Sequence, residues 1–292
     1  MTSPDSAIRQ KNHGPIILLG AARSGTKFLR DLLAICPEVK MIPYDVNYIW
    51  RHGVEQLSHD ELEAKQLNEE KINHIKSTLN NLAKIKADEI LLEKTVSNTL
   101  RVPYVKRIFP EARFVHIIRD GRDVTESSMR MWEAPPNWTA LLKKLRGMPL
   151  SNISYVFWFA KNILSGLGSG RQGGKVWGPR FQGIGREVAS SPLVRVCALQ
   201  WKHCVEAAKN DLAELDKNQV FEIRYEDLIQ NEEALRTLVH GLGISNIEAV
   251  VDAWRARLRP SAPKMWKKMS VEDQKMMIEI LAPTLKKLGY RE

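Results

Sequence analysis

A strand-turn-helix pattern near the start of the chain most narrows the folds that the chain can adopt. An apolar run over residues 16–19 ends at Gly20, crosses a polar turn that contains Gly25, and enters a helix-like pattern at about Thr26. The run predicts a buried parallel strand, and the two glycines allow the backbone to turn tightly. Because the first N–H groups of a helix lack intrahelical partners, such a turn favours an anion. The alternative is a plain connector between a strand and a helix.

The spacing of Gly20 and Gly25 matches that of the loop that binds nucleoside triphosphates, in which Lys and then Ser or Thr follow the second glycine. Here the order is reversed, because Thr26 precedes Lys27. The hydroxyl that would bind magnesium is therefore missing from its usual position. The pattern predicts a phosphate site that is not built for Mg-ATP, which makes a small-molecule kinase the less favoured class.

Other short apolar runs also end in charged or hydrogen-bonding residues. Three runs do so: 90–92 before Glu93 and Lys94, 114–118 before Arg119, and 220–223 before Arg224 and Tyr225. Open parallel sheets bind ligands beyond the carboxyl ends of their strands. The repeated placement therefore predicts one shared crevice.

Helical patterns separate these strands and fill the last third of the chain. They cover residues 28–35, 69–85, 98–109, 193–213, 232–242, 247–258 and 271–288. The alternation predicts an α/β fold of three layers around a central parallel sheet. The chain has 292 residues and no Pro/Ser-rich linker, so we expect a flexible segment over residues 1–13 and one domain over residues 14–292.

Residues 135–190 depart from this alternation, because they are rich in glycine and contain Trp158, Trp177 and Phe181. Long insertions of this kind are often lids or acceptor-binding loops. We therefore expect this insertion to influence substrate choice. A loop without a role in recognition is the alternative.

The phosphate turn resembles a motif of a known family. Residues Arg23, Ser24, Gly25, Thr26, Lys27 and Phe28 are similar to the 5′-phosphosulfate loop of sulfotransferases that use 3′-phosphoadenosine 5′-phosphosulfate (PAPS). Cytosolic enzymes carry Lys-Ser-Gly-Thr-Thr at this place, and tyrosylprotein enzymes carry Arg-Ser-Gly-Thr-Thr. Lys27 departs from both by replacing the second Thr with a cation. The resemblance implies a P-loop-like sulfotransferase fold in which these six residues bind the donor.

A second segment, residues 109–127, resembles the family's 3′-phosphate segment through Arg119 and Ser127. An arginine at a strand end can bind a phosphate through two N–H groups, and a serine hydroxyl can complete the contact. The alternative is a salt-bridged turn in which Asp120 caps a helix.

Two later positions also match the family, although less distinctly. Tyr225 corresponds to an aromatic residue near adenine, and a buried core tyrosine is its alternative interpretation. Lys264 lies in a stretch that resembles the family's late basic loop over the cofactor, and a solvated surface lysine is the alternative.

The resemblance also implies catalytic roles. Lys94 is similar to the lysine that stabilises the leaving group in tyrosylprotein enzymes, and Arg23 and Lys27 are candidate cations at the transferring end. Cytosolic enzymes place a histidine base after Lys-Thr, where this chain has Val96. Tyrosylprotein and heparan enzymes use a Glu base instead. In the tyrosylprotein enzymes this Glu follows the phosphate loop at a distance along the chain that, counted from Arg23, reaches Asp45 here. Asp45 is the preferred base, with Glu93 and His52 as alternatives.

These motifs predict a bacterial-type, PAPS-dependent sulfotransferase, similar to the tyrosylprotein and glycan enzymes. It would transfer a sulfuryl group to a hydroxyl or amino group of an intracellular acceptor without a metal and would release 3′-phosphoadenosine 5′-phosphate (PAP). A small metabolite or a glycan is the expected acceptor, and a lipid is also open. A kinase and a non-catalytic polyanion-binding protein are the alternative classes.

Composition agrees with an anionic ligand. The chain has 44 Lys and Arg residues against 34 Asp and Glu, a formal net charge of +10. The charge is dispersed and no recognition motif accompanies it, so nucleic acid is not the expected partner. Cys36, Cys197 and Cys204 have neither disulfide-framework nor metal-ligand spacing.

The expected location is the cytoplasm. The N-terminal residues lack the pattern of a secretion signal, and no apolar run is long enough to span a bilayer. Residues 153–167 form a basic, aromatic stretch that is compatible with weak peripheral membrane contact. A helix packed on its own protein is the favoured interpretation of this stretch.

Overall fold

The structure is a computed structural model that describes residues 14–135, 176–259 and 263–291. Five strands lie in these ranges: β1 Ile16–Leu19, β2 Val39–Met41, β3 Ile90–Glu93, β4 Arg113–Ile118 and β5 Val220–Arg224. The helices are α1 Thr26–Leu33, α2 Asn47–Trp50, α3 Glu69–Ala83, α4 Val102–Ile108, α5 Gly121–Glu133, α6 Ile184–Ser190, α7 Leu193–Ala213, α8 Tyr225–Gln230, α9 Glu232–Gly241, α10 Ile247–Arg257 and α11 Val271–Lys287.

The strands form one sheet in the order β2-β3-β1-β4-β5, and every neighbouring pair is parallel. Leu19, the last residue of β1, pairs with His116 of β4. The turn that follows β1 and the residues that follow β4 therefore leave the sheet at the same edge. This register positions the candidate site.

The two faces of β1 contribute to different cores, as the side-chain alternation of a strand requires. Ile17 and Leu19 pack in a buried cluster with residues of α2, α3 and α4. Ile16 and Leu18 pack on the opposite face with residues of α1, α9 and α10. The sheet is thus covered on both sides, which confirms the predicted three-layer α/β fold with a parallel sheet.

A third buried cluster joins α5, α6, α7 and α11. At the start of α5, a Cβ added to Gly121 would lie 2.8 Å from ring atoms of Trp201, a member of this cluster. Trp201 in turn donates from Nε1 to the carbonyl oxygen of Arg119 at 3.1 Å. This cluster therefore supports the end of β4, where Arg119 leaves the sheet.

The predicted strands and most predicted helices are confirmed, but the helix predicted over 98–109 is wrong in its first part. Val96–Leu100 is a 3-10 helix, and the α-helix begins at Val102. Pro103 has no N–H group and is tolerated only in the first turn of an α-helix. The α-helix therefore does not begin at residue 98, five residues upstream of Pro103.

Part of the predicted insertion is described, and it is ordered against the third cluster. Phe181, Ile184 and Val188 are buried there, the last two on α6. The flexible segment predicted for residues 1–13 and the stretch 153–167 lie outside the described residues. Within the described ranges, no helix combines the length and the apolar character needed to cross a membrane.

Asp60 is the centre of a buried polar network beside the sheet. Its side chain is 1% exposed and accepts from Arg51 Nη1 at 2.9 Å and from Arg180 Nη2 at 3.0 Å. Although burial alone would raise its pKa, the charges of Arg180, Arg101 and Arg51 hold the pKa of Asp60 well below its usual range. Ser97 Oγ also donates to Asp60 Oδ2, at 3.0 Å. One carboxylate thus connects three separate parts of the chain.

We expect Asp60→Asn to destabilise the protein by about 3–5 kcal/mol, because it removes the charge that compensates buried guanidinium groups. A lowered native pKa stabilises the fold above the unfolded pKa of about 3.9, and this stabilisation is lost as the pH falls. Below about pH 4, the free energy of unfolding of the variant should therefore fall less steeply with pH than that of the wild type. Urea unfolding followed by circular dichroism at several pH values measures both effects.

Asp252→Asn is the matched control, because the Asp252 side chain is 72% exposed and should change stability little. Equal unfolding midpoints for Asp60→Asn and the wild type would contradict the importance of this network.

Candidate active site

A single cleft of about 930 Å³ lies beyond the carboxyl ends of the strands. Its lining includes ten of the residues that the sequence singled out: Arg23, Gly25, Thr26, Lys27, Phe28, Asp45, Lys94, Arg119, Tyr225 and Lys264. Ser24 and Ser127 are buried beside the cleft rather than in its lining. The glycine turn after β1 and the arginine after β4 thus face the same space.

The N-terminus of α1 forms one wall of this cleft. Gly25 precedes the helix with φ +95° and offers no side-chain cap, and the first turn has no acidic residue. A Cβ on Gly25 would lie 2.4 Å from Cδ2 of Tyr225, so only glycine allows the tyrosine ring to approach the turn. The free N–H groups and the helix dipole together favour an anion at this place.

Two arginines meet at this wall. The Nη1 atom of Arg119 donates to the carbonyl oxygen of Arg23 at 3.1 Å, and its guanidinium group lies 4.3 Å from the ring centroid of Tyr225. Burial and the positive charges of Arg119 and Arg130 lower the pKa of Arg23. The two like charges repel each other, and a bound anion would offset that repulsion. The arrangement therefore favours binding of an anionic ligand.

Two buried serines, Ser127 and Ser24, belong to the segments that carry the arginines. Ser127 Oγ accepts a hydrogen bond from Arg23 Nε at 3.0 Å, which links the first turn to α5. Ser24 Oγ and Arg119 Nε are buried and have no hydrogen-bond partner among the described residues. Buried polar atoms of this kind usually have a partner in the native state. Arg119 lines the cleft, and Ser24 belongs to the turn that forms its wall.

The turn after Arg119 also contains the salt-bridged cap that was the alternative interpretation of this segment. Asp120 Oδ1 accepts from the backbone N–H of Arg122 at 3.0 Å and caps α5. The Arg122 guanidinium group pairs with the same carboxylate at 3.0 Å. Because Asp120 pairs with Arg122 and not with Arg119, the Arg119 side chain can bind a ligand in the cleft.

Asp45 and Lys94, the candidate base and the candidate leaving-group cation, form an ion pair in the cleft. The side chain of Lys94 is 11% exposed and that of Asp45 is 36% exposed. A further bond joins their loops, because the backbone N–H of Val46 donates to Thr95 Oγ1 at 3.0 Å. The carboxylate would have to exchange this lysine for an acceptor hydroxyl before it could take a proton.

The two alternative bases do not line the cleft. Glu93 is fully buried, and burial raises the pKa of its carboxyl group. It accepts from Trp50 Nε1 at 3.2 Å and from Asn98 Nδ2 at 2.9 Å, which gives it a structural role. His52 stacks on His74 with ring centroids 3.7 Å apart. Of the three candidates, only Asp45 lies in the cleft.

Two predicted donor-binding lysines are engaged with carboxylates. Lys27 is 75% exposed at its side chain and pairs with Asp31 at 2.6 Å. Lys264 pairs with Asp123 at 2.7 Å. Both lie at the cleft, but a ligand would have to compete with these carboxylates for them.

The cleft also contains residues that the motifs did not identify. Arg257, at the end of α10, lines it and donates from Nη1 to the backbone oxygen of Asp31 at 2.8 Å. Basic residues are common in the last turn of a helix, so the sequence around Arg257 does not indicate a site. In the described part of the chain, no group of three or more His, Cys, Asp or Glu side chains is arranged to hold a metal ion.

Comparison with known proteins agrees with this geometry. Residues 15–148 match the sequence model of the sulfotransferase family. No curated protein sequence matches the chain significantly.

Two solved structures have similar folds. A sulfotransferase domain from the curacin biosynthetic pathway is 16% identical, covers 95% of this chain and 98% of its own, and has a TM-score of 0.52. Sulfotransferase STF9 from Mycobacterium avium is 13% identical, covers 96% of this chain and 78% of its own, and has a TM-score of 0.55. Identities this low establish the fold alone.

The finer likeness to tyrosylprotein and glycan enzymes rests on the motif residues only. The general resemblance is confirmed: residues 15–148 carry the sequence pattern of the sulfotransferase family, and the chain has the α/β fold of bacterial sulfotransferases.

Proposed function

We propose that this protein transfers a sulfuryl group from PAPS to a hydroxyl or amino group of an acceptor. The observation that carries the proposal is the shared cleft, in which the glycine turn and Arg119 face the same space. A donor with phosphate groups at the 3′ and 5′ positions of one ribose needs two neighbouring anion sites, and its adenine base needs a surface of its own. The ring of Tyr225 lies against both Gly25 and Arg119 and offers a surface for adenine.

The residues of the cleft suit such a donor. The N–H groups at the start of α1 and the Arg23 side chain would bind the 5′ end, and Arg119 and Ser127 would bind the 3′-phosphate. The unpartnered Ser24 Oγ and Arg119 Nε atoms would gain hydrogen-bond partners. Lys264 and Phe28 extend the same binding surface.

The donor supplies the sulfuryl group, and the protein supplies position, charge and a proton acceptor. In the proposed reaction, Asp45 takes the proton of the acceptor group. Arg23, Lys27 and Lys94 offset negative charge on the sulfuryl group and on the departing phosphate. Because Lys94 pairs with Asp45, its movement toward the donor would release the carboxylate that acts as base.

Calorimetric titration tests the donor assignment. We expect the wild type to bind PAP at least tenfold more tightly than adenosine 5′-phosphate, because only PAP carries the 3′-phosphate. Arg119→Ala should abolish this preference and leave the affinity for adenosine 5′-phosphate within about threefold. Arg195→Ala is the matched control, since Arg195 pairs with Glu187 at 2.9 Å and does not line the cleft.

Equal wild-type affinity for the two nucleotides would contradict the proposal. Transfer that requires ATP and magnesium would instead support a kinase. Strongly salt-dependent binding of an anionic polymer, without PAP binding, would support a polyanion-binding protein.

The role of Asp45 is tested by Asp45→Asn. Removing a general base typically lowers turnover by about 10²–10⁴-fold, so kcat should fall by at least 100-fold. PAP affinity should not weaken, because the substitution frees the Lys94 ammonium group for the donor. Labelled PAPS, incubated first with intracellular extracts to find an acceptor and then with that acceptor, measures kcat.

Asp216→Asn is the control for this variant. Asp216 caps a short helix away from the cleft, and asparagine caps as well as aspartate. Turnover of Asp45→Asn equal to that of the wild type would eliminate Asp45 as the base. The cytoplasmic location and an intracellular acceptor stay predictions.

A further inference from the structure

One part of the cleft lining, near the candidate base and the phosphate turn, carries no charged side chain. It consists of Ala22, Val96, Trp177 and Gly178, which we call the apolar corner. In this corner, the only side-chain hydrogen-bonding group from a described residue is the indole N–H of Trp177. None of these four residues belongs to the anion-binding groups described above.

Asp60 brings two sides of the apolar corner together. Its Oδ2 atom accepts from Ser97 Oγ at 3.0 Å and from the backbone N–H of Arg180 at 2.9 Å. Its own backbone N–H donates to the carbonyl oxygen of Arg180 at 2.7 Å. Ser97 follows Val96, and Arg180 closely follows Trp177 and Gly178, so the two walls are joined through one buried carboxylate.

Gln200 of α7 fixes the wall that carries Trp177. Its Nε2 atom donates to the carbonyl oxygens of Trp177 at 2.7 Å and of Pro179 at 2.9 Å. Its Oε1 atom accepts from Trp132 Nε1 at 3.2 Å, which sets the orientation of the amide. The wall is therefore held in place by bonds that need no ligand.

The apolar corner adjoins the reacting groups of the proposed mechanism. Val96 lies two residues beyond Lys94, whose ammonium group pairs with Asp45. Trp177 also lines, together with Ala21 and Ala22, a small void at the back of the phosphate turn. The corner thus adjoins both the candidate base and the anion site, where the acceptor must present its reacting group.

We propose that the acceptor carries an apolar or aromatic portion directly beside the hydroxyl or amino group that receives the sulfuryl group. This inference rests on the proposed function and narrows the acceptor class. A polyhydroxylated sugar ring would leave hydroxyl groups without partners against Val96 and Trp177, which costs binding free energy. An aromatic alcohol would bury its ring against the same surface and gain binding free energy.

Calorimetry with PAP-saturated protein tests this class of acceptor. The probes are 2-naphthol and methyl glucoside, and we expect 2-naphthol to bind at least tenfold more tightly. Trp177→Ala should weaken 2-naphthol binding by about tenfold, whereas Trp177→Phe should keep it within about threefold because a ring is retained. PAP affinity should stay within about twofold in both variants, since Trp177 takes no part in the proposed anion contacts.

Val96→Thr provides a second test that leaves the side-chain shape unchanged. The added hydroxyl should weaken 2-naphthol binding severalfold without changing the thermal unfolding temperature by more than about 2 °C. Three results would each overturn the inference: equal wild-type affinity for the two probes, wild-type-like 2-naphthol binding by Trp177→Ala, or no effect of Val96→Thr. Failure of the wild type to bind PAP would overturn the proposed function itself, and this inference with it.

Discussion

The parallel pairing of β1 with β4 is the constraint on which the candidate site depends. Because Leu19 at the end of β1 pairs with His116 near the end of β4, the turn after β1 and the residues after β4 leave the sheet at the same edge. A helix N-terminus and Arg119 are thereby brought within contact distance, as the 3.1 Å bond to the Arg23 carbonyl shows. Neither segment alone could bind both the 3′ and the 5′ phosphate groups of one nucleotide.

The cleft satisfies many of its charges internally. Lys94 pairs with Asp45, Lys264 with Asp123 and Lys27 with Asp31, while Arg23 and Arg119 have no carboxylate partner among the described residues. An anionic ligand could therefore bind the two arginines without breaking an ion pair, whereas it would have to displace a carboxylate from each of the three lysines. In the proposed reaction this displacement has a use, because recruiting Lys94 to the donor frees Asp45.

Much of this arrangement could be predicted from the sequence, because short apolar runs and the residues that follow them are local signals. The strand ends and the shared crevice follow from such runs, as do the positions of Arg119 and Tyr225. The three-residue strand β2 was missed, since an alternating pattern needs more residues to be recognised.

The network around Asp60 and the contacts of Gln200 could not be predicted either. Their partners are separated by long stretches of chain, and no local pattern predicts such pairing. The same reason explains why Asp45 was identified as a candidate base without its ion pair to Lys94. Local patterns place residues at the ends of elements, but tertiary packing decides which of them meet.

We expect one cleft to bind both the 3′ and the 5′ phosphate groups of one adenosine donor. A crystal structure of the protein in complex with PAP tests it most directly. We expect the 5′-phosphate at the N–H groups that begin α1 and the 3′-phosphate at Arg119 and Ser127, within a single cleft. A nucleotide bound with either phosphate group outside this cleft would contradict it.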